Sequence, residues 1–162
     1  QIGAAADSMT WLAVEWLRRG KGSLLGACSG AVAGLVAITP ASGFVGVPGA
    51  LAIGVAAGGL CYWGATGLKW AMGADDTLDV FGIHAVGGLT GAVLTGVFAD
   101  AAIGGVSGNA LTQALGALVV LFYSAVVSFL ILLALKFTVG LRVSRDDEDI
   151  GLDISQHGEA VE

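Results

Sequence analysis

Apolar residues fall in long blocks that contain no charged side chain. Residues 22–68, 80–99 and 101–135 carry no Asp, Glu, Lys or Arg. About 20 consecutive apolar residues allow a helix to cross a bilayer. The first block is long enough for two crossings, so we expect a turn near its middle, at the glycines and proline of residues 43–49. The pattern predicts helices at about residues 4–18, 24–44, 49–71, 79–99 and 111–140.

Composition strengthens the case for a membrane protein. Hydrophobic residues make up 56% of the chain and charged residues 12%, whereas a soluble domain has about 25% charged residues. We therefore predict an all-α, polytopic helical membrane protein, with a membrane domain at 1–140 and a soluble acidic tail at 141–162. The chain starts at Gln1 within a predicted helix, which suggests that it is part of a longer protein.

The basic residues predict the orientation in the membrane. If the spans alternate, every Lys and Arg lies on one side: Arg18, Arg19, Lys21, Lys69, Lys136, Arg142 and Arg145. The positive-inside rule makes that side cytoplasmic. This places the C-terminal tail in the cytoplasm and predicts a multi-pass protein of the cell membrane. The tail is rich in Asp and Glu, which argues against a nucleic-acid partner.

Glycine recurs every four residues in three of the predicted helices. The repeats are Gly26, Gly30 and Gly34, then Gly54 and Gly58, then Gly87 and Gly91. Small residues at this spacing line one face of a helix and let neighbouring backbones approach closely. The simplest interpretation is a tightly packed bundle. The alternative is that some of these glycines clear space for a narrow conduit.

His84 is the main candidate for function, because it lies in the apolar stretch "DVFGIHAVGGLTGAVLTGVF" at residues 79–98. Ionisable residues within membrane spans are rare and tend to mark substrate or proton pathways. The structural alternative is a histidine that only hydrogen-bonds to a neighbouring helix. An uncharged imidazole offers one donor and one acceptor, which suits a small polar solute or a proton relay. His84 follows Asp79 by about 7 Å along the helix axis, which places it near the cytoplasmic end.

Two polar residues are predicted to support helix ends. Asp79 is a candidate N-cap of the fourth helix, because its carboxylate can accept from the free N–H groups of residues 80–82. Thr39 precedes Pro40, whose missing N–H leaves a carbonyl free. The Thr39 hydroxyl can satisfy or bend that region.

The remaining polar residues do not predict covalent or metal chemistry. His157, the second histidine, lies in the tail, far from His84 in sequence. The sequence has no Ser/His/Asp or Cys/His arrangement, no phosphate-binding loop and no pair of acids within a span. We therefore predict no cofactor, no metal and no enzyme activity, and expect transport chemistry instead.

Three motifs resemble the C-terminal part of the ammonium transporter/Rhesus family. They are "GACSGAVAGLVAITPASGFVGVPGALAIG", "DDTLDVFGIHAVGG" and "VGLRV…EDIGLDISQHGE". Together they are specific for that family, and the similarity extends from about Trp11 to Glu159. The chain resembles the end of the seventh membrane helix through the eleventh, plus the tail.

The resemblance implies a homotrimer whose protomers each have eleven helices, in two five-helix repeats of inverted topology followed by a long final helix. Family members pass ammonium or ammonia through a narrow apolar pore lined by two histidines. His84 matches the second of these, which moves it to the middle of the pore, and Val80 lies beside the pore one turn below. Asp79 matches the acidic residue that starts this helix. Ala85 replaces the usual glycine, and its methyl group narrows or re-aims the pore wall.

The resemblance also implies a partner: PII-type signal proteins dock at the cytoplasmic face, beside the tail. Two other functions stay open. An ammonium sensor of the same fold would bind ammonium and pass a signal onward. A structural helix-bundle subunit would need His84 for stability alone.

Overall fold

The structure is a computed structural model that describes residues 1–159. Its helices are α1 Ile2–Arg19, α2 Leu24–Ala41, α3 Val47–Met72, α4 Phe81–Phe98, α5 Ala101–Gly104, α6 Ala110–Thr138 and α7 Arg145–Ile150. A π-helical turn, Asp153–His157, follows α7. The described residues contain no strand, and the predicted helices correspond to α1, α2, α3, α4 and α6. The last three residues of the predicted tail, 160–162, lie outside the described residues.

Four helices are long and apolar enough to cross a membrane: α2, α3, α4 and α6. The first apolar block does divide into two helices, and the turn between α2 and α3 lies at residues 42–46. The helix α1 does not reach the same hydropathy, because it carries Asp7, Glu15, Arg18 and Arg19. Its crossing of the membrane stays a prediction.

The contacts within the chain define two units, Gln1–Leu118 and Val119 onward. The first contains α1 to α5 and the start of α6. In the second, the long helix α6 ends at Thr138, close to the predicted junction of membrane domain and tail. Arg142 and Glu148 form an ion pair of 2.9 Å in the tail, and the Ser144 hydroxyl caps α7 by accepting from the Asp147 N–H.

Close approach to α1 explains the glycine repeat of α2. A Cβ atom placed on Gly34 would lie 2.6 Å from the Ala4 Cα, and one on Gly30 would lie 2.8 Å from the Ser8 Cα. Real Cβ atoms do not come this near to a backbone atom. Because both neighbours are backbone atoms of α1, they cannot move aside without moving the helix. The α2 repeat therefore serves packing.

The glycines of α3 and α4 have the same role. A Cβ atom on Gly58 of α3 would lie 2.7 Å from the Thr10 Cβ of α1. On α4, one on Gly87 would lie 3.2 Å from the Cys61 sulfur, and one on Gly91 would collide with the backbone of Ala37. The α2 and α3 helices thus contact α1 through one set of small residues and α4 through another.

Glu15 joins α1 to the start of α2. Its side chain is almost fully buried, and its Oε2 accepts from the Ser23 N–H at 2.9 Å. The Ser23 hydroxyl donates to the same carboxylate and accepts from the Gly26 N–H. Arg19 adds an ion pair at 3.6 Å. Free N–H groups at a helix N-terminus are costly unless satisfied, so this network stabilises the turn between the two helices.

Asp7 is the second buried acid of α1, and its surroundings are different. The residue is 0% exposed, and neither carboxylate oxygen has a hydrogen-bond partner among the described residues. A Cβ atom on Gly30 would lie 3.3 Å from the Asp7 Oδ1, so the carboxylate packs against the glycine face of α2. A buried polar group without a partner reduces the stability of a fold.

The first prediction concerns the glycine repeat. We expect Gly34→Ala to destabilise the protein by about 1–3 kcal/mol, because the added methyl group overpacks a backbone contact. Gly59→Ala is the matched control, since a Cβ there meets no atom within 4 Å. Thermal unfolding in detergent measures both variants. Equal melting temperatures for the two would contradict the packing role of Gly34.

The second prediction concerns Asp7. We expect Asp7→Leu, which has a similar shape, to raise the melting temperature, because it removes an unsatisfied buried group worth about 1–3 kcal/mol. Asp7→Asn keeps a polar group at this position and should raise the melting temperature by less. A melting temperature lowered by Asp7→Leu would mean that the carboxylate is bound by a partner in the folded protein.

Candidate substrate pathway

The segment that carries His84 opens with a π-helical turn, Phe81–Ala85, before the α-helical part of α4, Val86–Phe98. The wider turn lies where α4 meets α3. A Cβ atom on Gly82 would lie 2.6 Å from the Ala65 Cα, so only glycine fits there. π-Helical turns are rare and frequently occur at functional sites. The sequence periodicity did not predict this one.

Asp76 caps α4, which corrects the predicted capping by the Asp79 side chain. The Asp76 Oδ1 accepts from the Val80 N–H at 2.9 Å, and its Oδ2 accepts from the Phe81 N–H at 2.8 Å. Asp79 does precede the helix, and its backbone carbonyl accepts from the Ile83 N–H at 2.9 Å. Both acids lie in the same short segment, and only the folded loop decides which carboxylate reaches the free N–H groups.

The Asp79 side chain binds Lys69 instead. The Lys69 Nζ lies 2.6 Å from the Asp79 Oδ1, and both side chains are partly buried. Asp79 also has φ of 55°, and within residues 1–159 it is the one non-glycine residue with a positive φ. Lys69 directly follows a second π-helical turn, Gly64–Leu68 in α3. The ion pair therefore joins the last part of α3 to the residue that starts α4.

His84 lies on an exposed face of α4. Val80, four residues earlier, is 50% exposed, while Gly82, Ile83 and Gly87 are buried. None of the hydrogen bonds within residues 1–159 involves the His84 side chain. The imidazole thus projects from a side of α4 that is exposed in the described chain, and no other described residue hydrogen-bonds to either of its nitrogens.

Thr39 lies at the other end of α2, in the 3₁₀ turn Thr39–Ala41. Its backbone N–H donates to the Val36 carbonyl, and its hydroxyl donates to the Leu35 carbonyl at 2.6 Å. The hydroxyl thus satisfies the carbonyl that the change of helix type would leave free. This turn packs against the Val86–Phe98 part of α4, while the Thr39 side chain itself is exposed. Its supporting role for α4 stays a prediction.

A cavity of about 110 Å³, lined by both polar and apolar residues, lies beside Asp79 and was not predicted. Its lining combines the α1 residues Glu15 and Arg19 with Tyr62 and Thr66 of α3. A signal was present in the sequence, since Glu15 and Arg19 lie four residues apart on one face of α1. The described residues contain no cluster of three or more metal-ligating side chains.

Comparison with known proteins gives the same family throughout. The model of the Ammonium Transporter Family matches residues 2–162. An ammonium transporter of Mycobacterium tuberculosis is 47% identical over 98% of this chain, and one of Aquifex aeolicus is also 47% identical over 98%. These alignments cover 36% and 39% of the relatives, so the chain spans well under half of their length.

Solved structures agree with the sequence relatives. The crystal structure of Saccharomyces cerevisiae Mep2 superposes with a TM-score of 0.82 and 36% identity, over 90% of this chain and 36% of Mep2. A structure titled "Sensor Amt Protein" superposes with a TM-score of 0.81 and 26% identity, over 96% of this chain and 40% of that one. The relatives are named as transporters, not enzymes. The chain is an all-α, multi-pass membrane protein segment, and it belongs to the ammonium transporter family.

Proposed function

We propose that the protein containing this chain moves ammonium or ammonia across a membrane, along a narrow apolar pathway that includes His84 and Val80. One observation carries the proposal. His84 projects from an exposed face of a helix apolar enough to cross a membrane, while glycines on other faces of that helix pack against α2 and α3. A free imidazole in such a setting is costly, and intramembrane ionisable groups tend to mark a pathway.

The chemistry fits a small solute that exchanges a proton. A hydrated cation meets a large desolvation barrier when it enters an apolar passage, so deprotonation of ammonium lowers that barrier. Neutral ammonia can then hydrogen-bond to an uncharged imidazole, which offers one donor and one acceptor. A second histidine, supplied by another part of the protein, would complete the pair and relay the proton.

The proposed assembly and surroundings rest on the family resemblance. The protein is a homotrimer in the cell membrane, its C-terminal tail is cytoplasmic, and a PII-type signal protein docks at the cytoplasmic face. The positive-inside distribution of Lys and Arg supports this orientation. No residue of α6 is buried within the described chain, which leaves a long apolar surface for lipid and for neighbouring helices.

An ammonium sensor is the second candidate. The similarity to the structure titled "Sensor Amt Protein" supports it, because the fold suits binding as well as passage. A sensor would retain ammonium binding without sustained flux. Transport and sensing are therefore separated by measuring current directly.

The third prediction tests the pathway. We expect an ammonium-evoked current in proteoliposomes containing the natural full-length protein. His84→Ala should lower that current about tenfold or more, or abolish its selectivity over potassium, because a lost interaction of about 1.4 kcal/mol at the barrier gives a tenfold change. His157→Ala is the matched control, since that histidine lies in the tail.

Each result has a distinct meaning, provided that variants are compared at equal amounts of folded protein. Equal currents from wild type and His84→Ala would remove His84 from the pathway and leave it a packing residue. No current from wild type, together with measurable ammonium binding, would favour the sensor.

A further inference from the structure

We propose that Lys69 is a positioning residue for His84 and acts through its ion pair with Asp79. This inference rests on the proposed role of His84 in the pathway. Lys69 is 15 positions away in sequence and is not part of the exposed face that carries His84. Its influence passes through the backbone at the start of α4.

The first argument is the contact between two π-helical turns. Gly64–Leu68 of α3 packs against Phe81–Ala85 of α4. A Cβ atom on Gly64 would lie 3.0 Å from the Gly82 Cα, so the two backbones touch. Neither turn can change its width without moving the other. We therefore treat the two turns as one structural unit.

The second argument is the ion pair that closes this unit. Lys69 is the residue after the first turn, and Asp79 lies two residues before the second. The distance from the Lys69 Nζ to the Asp79 Oδ1 is 2.6 Å, and the side chains are 25% and 29% exposed. Partial burial lowers the screening of such a pair by solvent. Arg19, the nearby cation of α1, pairs with Glu15 instead.

The third argument is the backbone of Asp79. Its φ of 55° is a conformation that side chains other than glycine rarely adopt. Such a conformation persists where surrounding contacts hold it. Lys69 holds the side chain, and the Asp79 carbonyl accepts from the Ile83 N–H at 2.9 Å, inside the second turn. The loop geometry is thereby transmitted to the turn that contains His84.

The direction of His84 depends on the width of that turn. Each residue of an α-helix advances about 100° around the helix axis. A change of the turn from π-helical to α-helical hydrogen bonding would therefore rotate the residues before it by about 100° relative to the residues after it. Val86–Phe98 is fixed by its glycine contacts with α2 and α3. The contact of Gly82 with Ala65 limits this rotation, so we expect loss of the Lys69–Asp79 pair to turn His84 by part of that angle while Val86–Phe98 stays in place.

The test compares ammonium currents and ammonium-over-potassium selectivity in the full-length protein. Lys69→Met removes the charge, Lys69→Arg restores it, and Lys136→Met is the control for losing a lysine at another helix end. We expect Lys69→Met to lower the ammonium current or the selectivity roughly tenfold, since small misplacements of a binding group have large effects. Lys69→Arg should recover most of the loss, and Lys136→Met should resemble wild type.

A double variant distinguishes positioning from general destabilisation. If Lys69 acts through His84, then Lys69→Met combined with His84→Ala should be no worse than His84→Ala alone. Fully additive losses, or a lower melting temperature with unchanged selectivity, would overturn the inference. Asp79→Asn provides the same test should Lys69→Met fold poorly, because Asn tolerates a positive φ and carries no charge.

The inference and the proposed function can fail separately. A selective wild-type current that Lys69→Met and Asp79→Asn both leave unchanged would overturn the positioning role and keep the pathway. Absence of any ammonium current from wild type would overturn the proposed function, and the positioning role with it.

Discussion

Close approach between helix backbones is the constraint on which the rest of this structure depends. Lipid tails give helices little hydrophobic reason to associate, so packing has to come from contacts at short range. Gly30 and Gly34 of α2 meet the backbone of α1, and Gly91 of α4 meets the backbone of Ala37. Larger side chains would separate these helices, whose buried core consists of alanines together with Trp11, Ile53, Cys61, Tyr62 and Ile83.

The same contacts determine where polar groups are tolerated. Glu15 is buried at the end of α1, where the N–H and the hydroxyl of Ser23, together with the Arg19 side chain, satisfy its carboxylate. Asp7 lies two turns deeper, against the glycine face of α2, and finds no such groups among the described residues. His84 is placed differently again, on a face of α4 that the first unit does not cover. Packing thus sorts these three ionisable residues into a helix cap, an unsatisfied buried group and an available imidazole.

The sequence predicted what depends on local spacing and missed what depends on contact between distant residues. Charge-free blocks predicted the helices, and the four-residue glycine repeats predicted their packing, because both patterns repeat along one helix. The capping acid was assigned to Asp79 when it is Asp76, since a choice between acids three residues apart requires the loop conformation. Asp79 is bound by Lys69, ten residues earlier. Neither that pair nor the π-helical turns leave a signal in hydropathy.

The two parts of α4 are consequently held in place by partly different interactions. Its α-helical part is held sterically: Gly91 touches Ala37, and a Cβ atom on Gly96 would lie 2.6 Å from the Ala110 Cα. Its π-helical turn is held by the close backbone contact between Gly82 and Ala65 and, in addition, by charge and hydrogen bonds, through Asp76 and the Lys69–Asp79 pair. Steric contacts allow almost no adjustment, whereas a partly exposed ion pair at a helix end can be broken at modest cost. His84, the residue that we propose for the pathway, therefore lies in the part of the helix where an ion pair adds to the steric contacts.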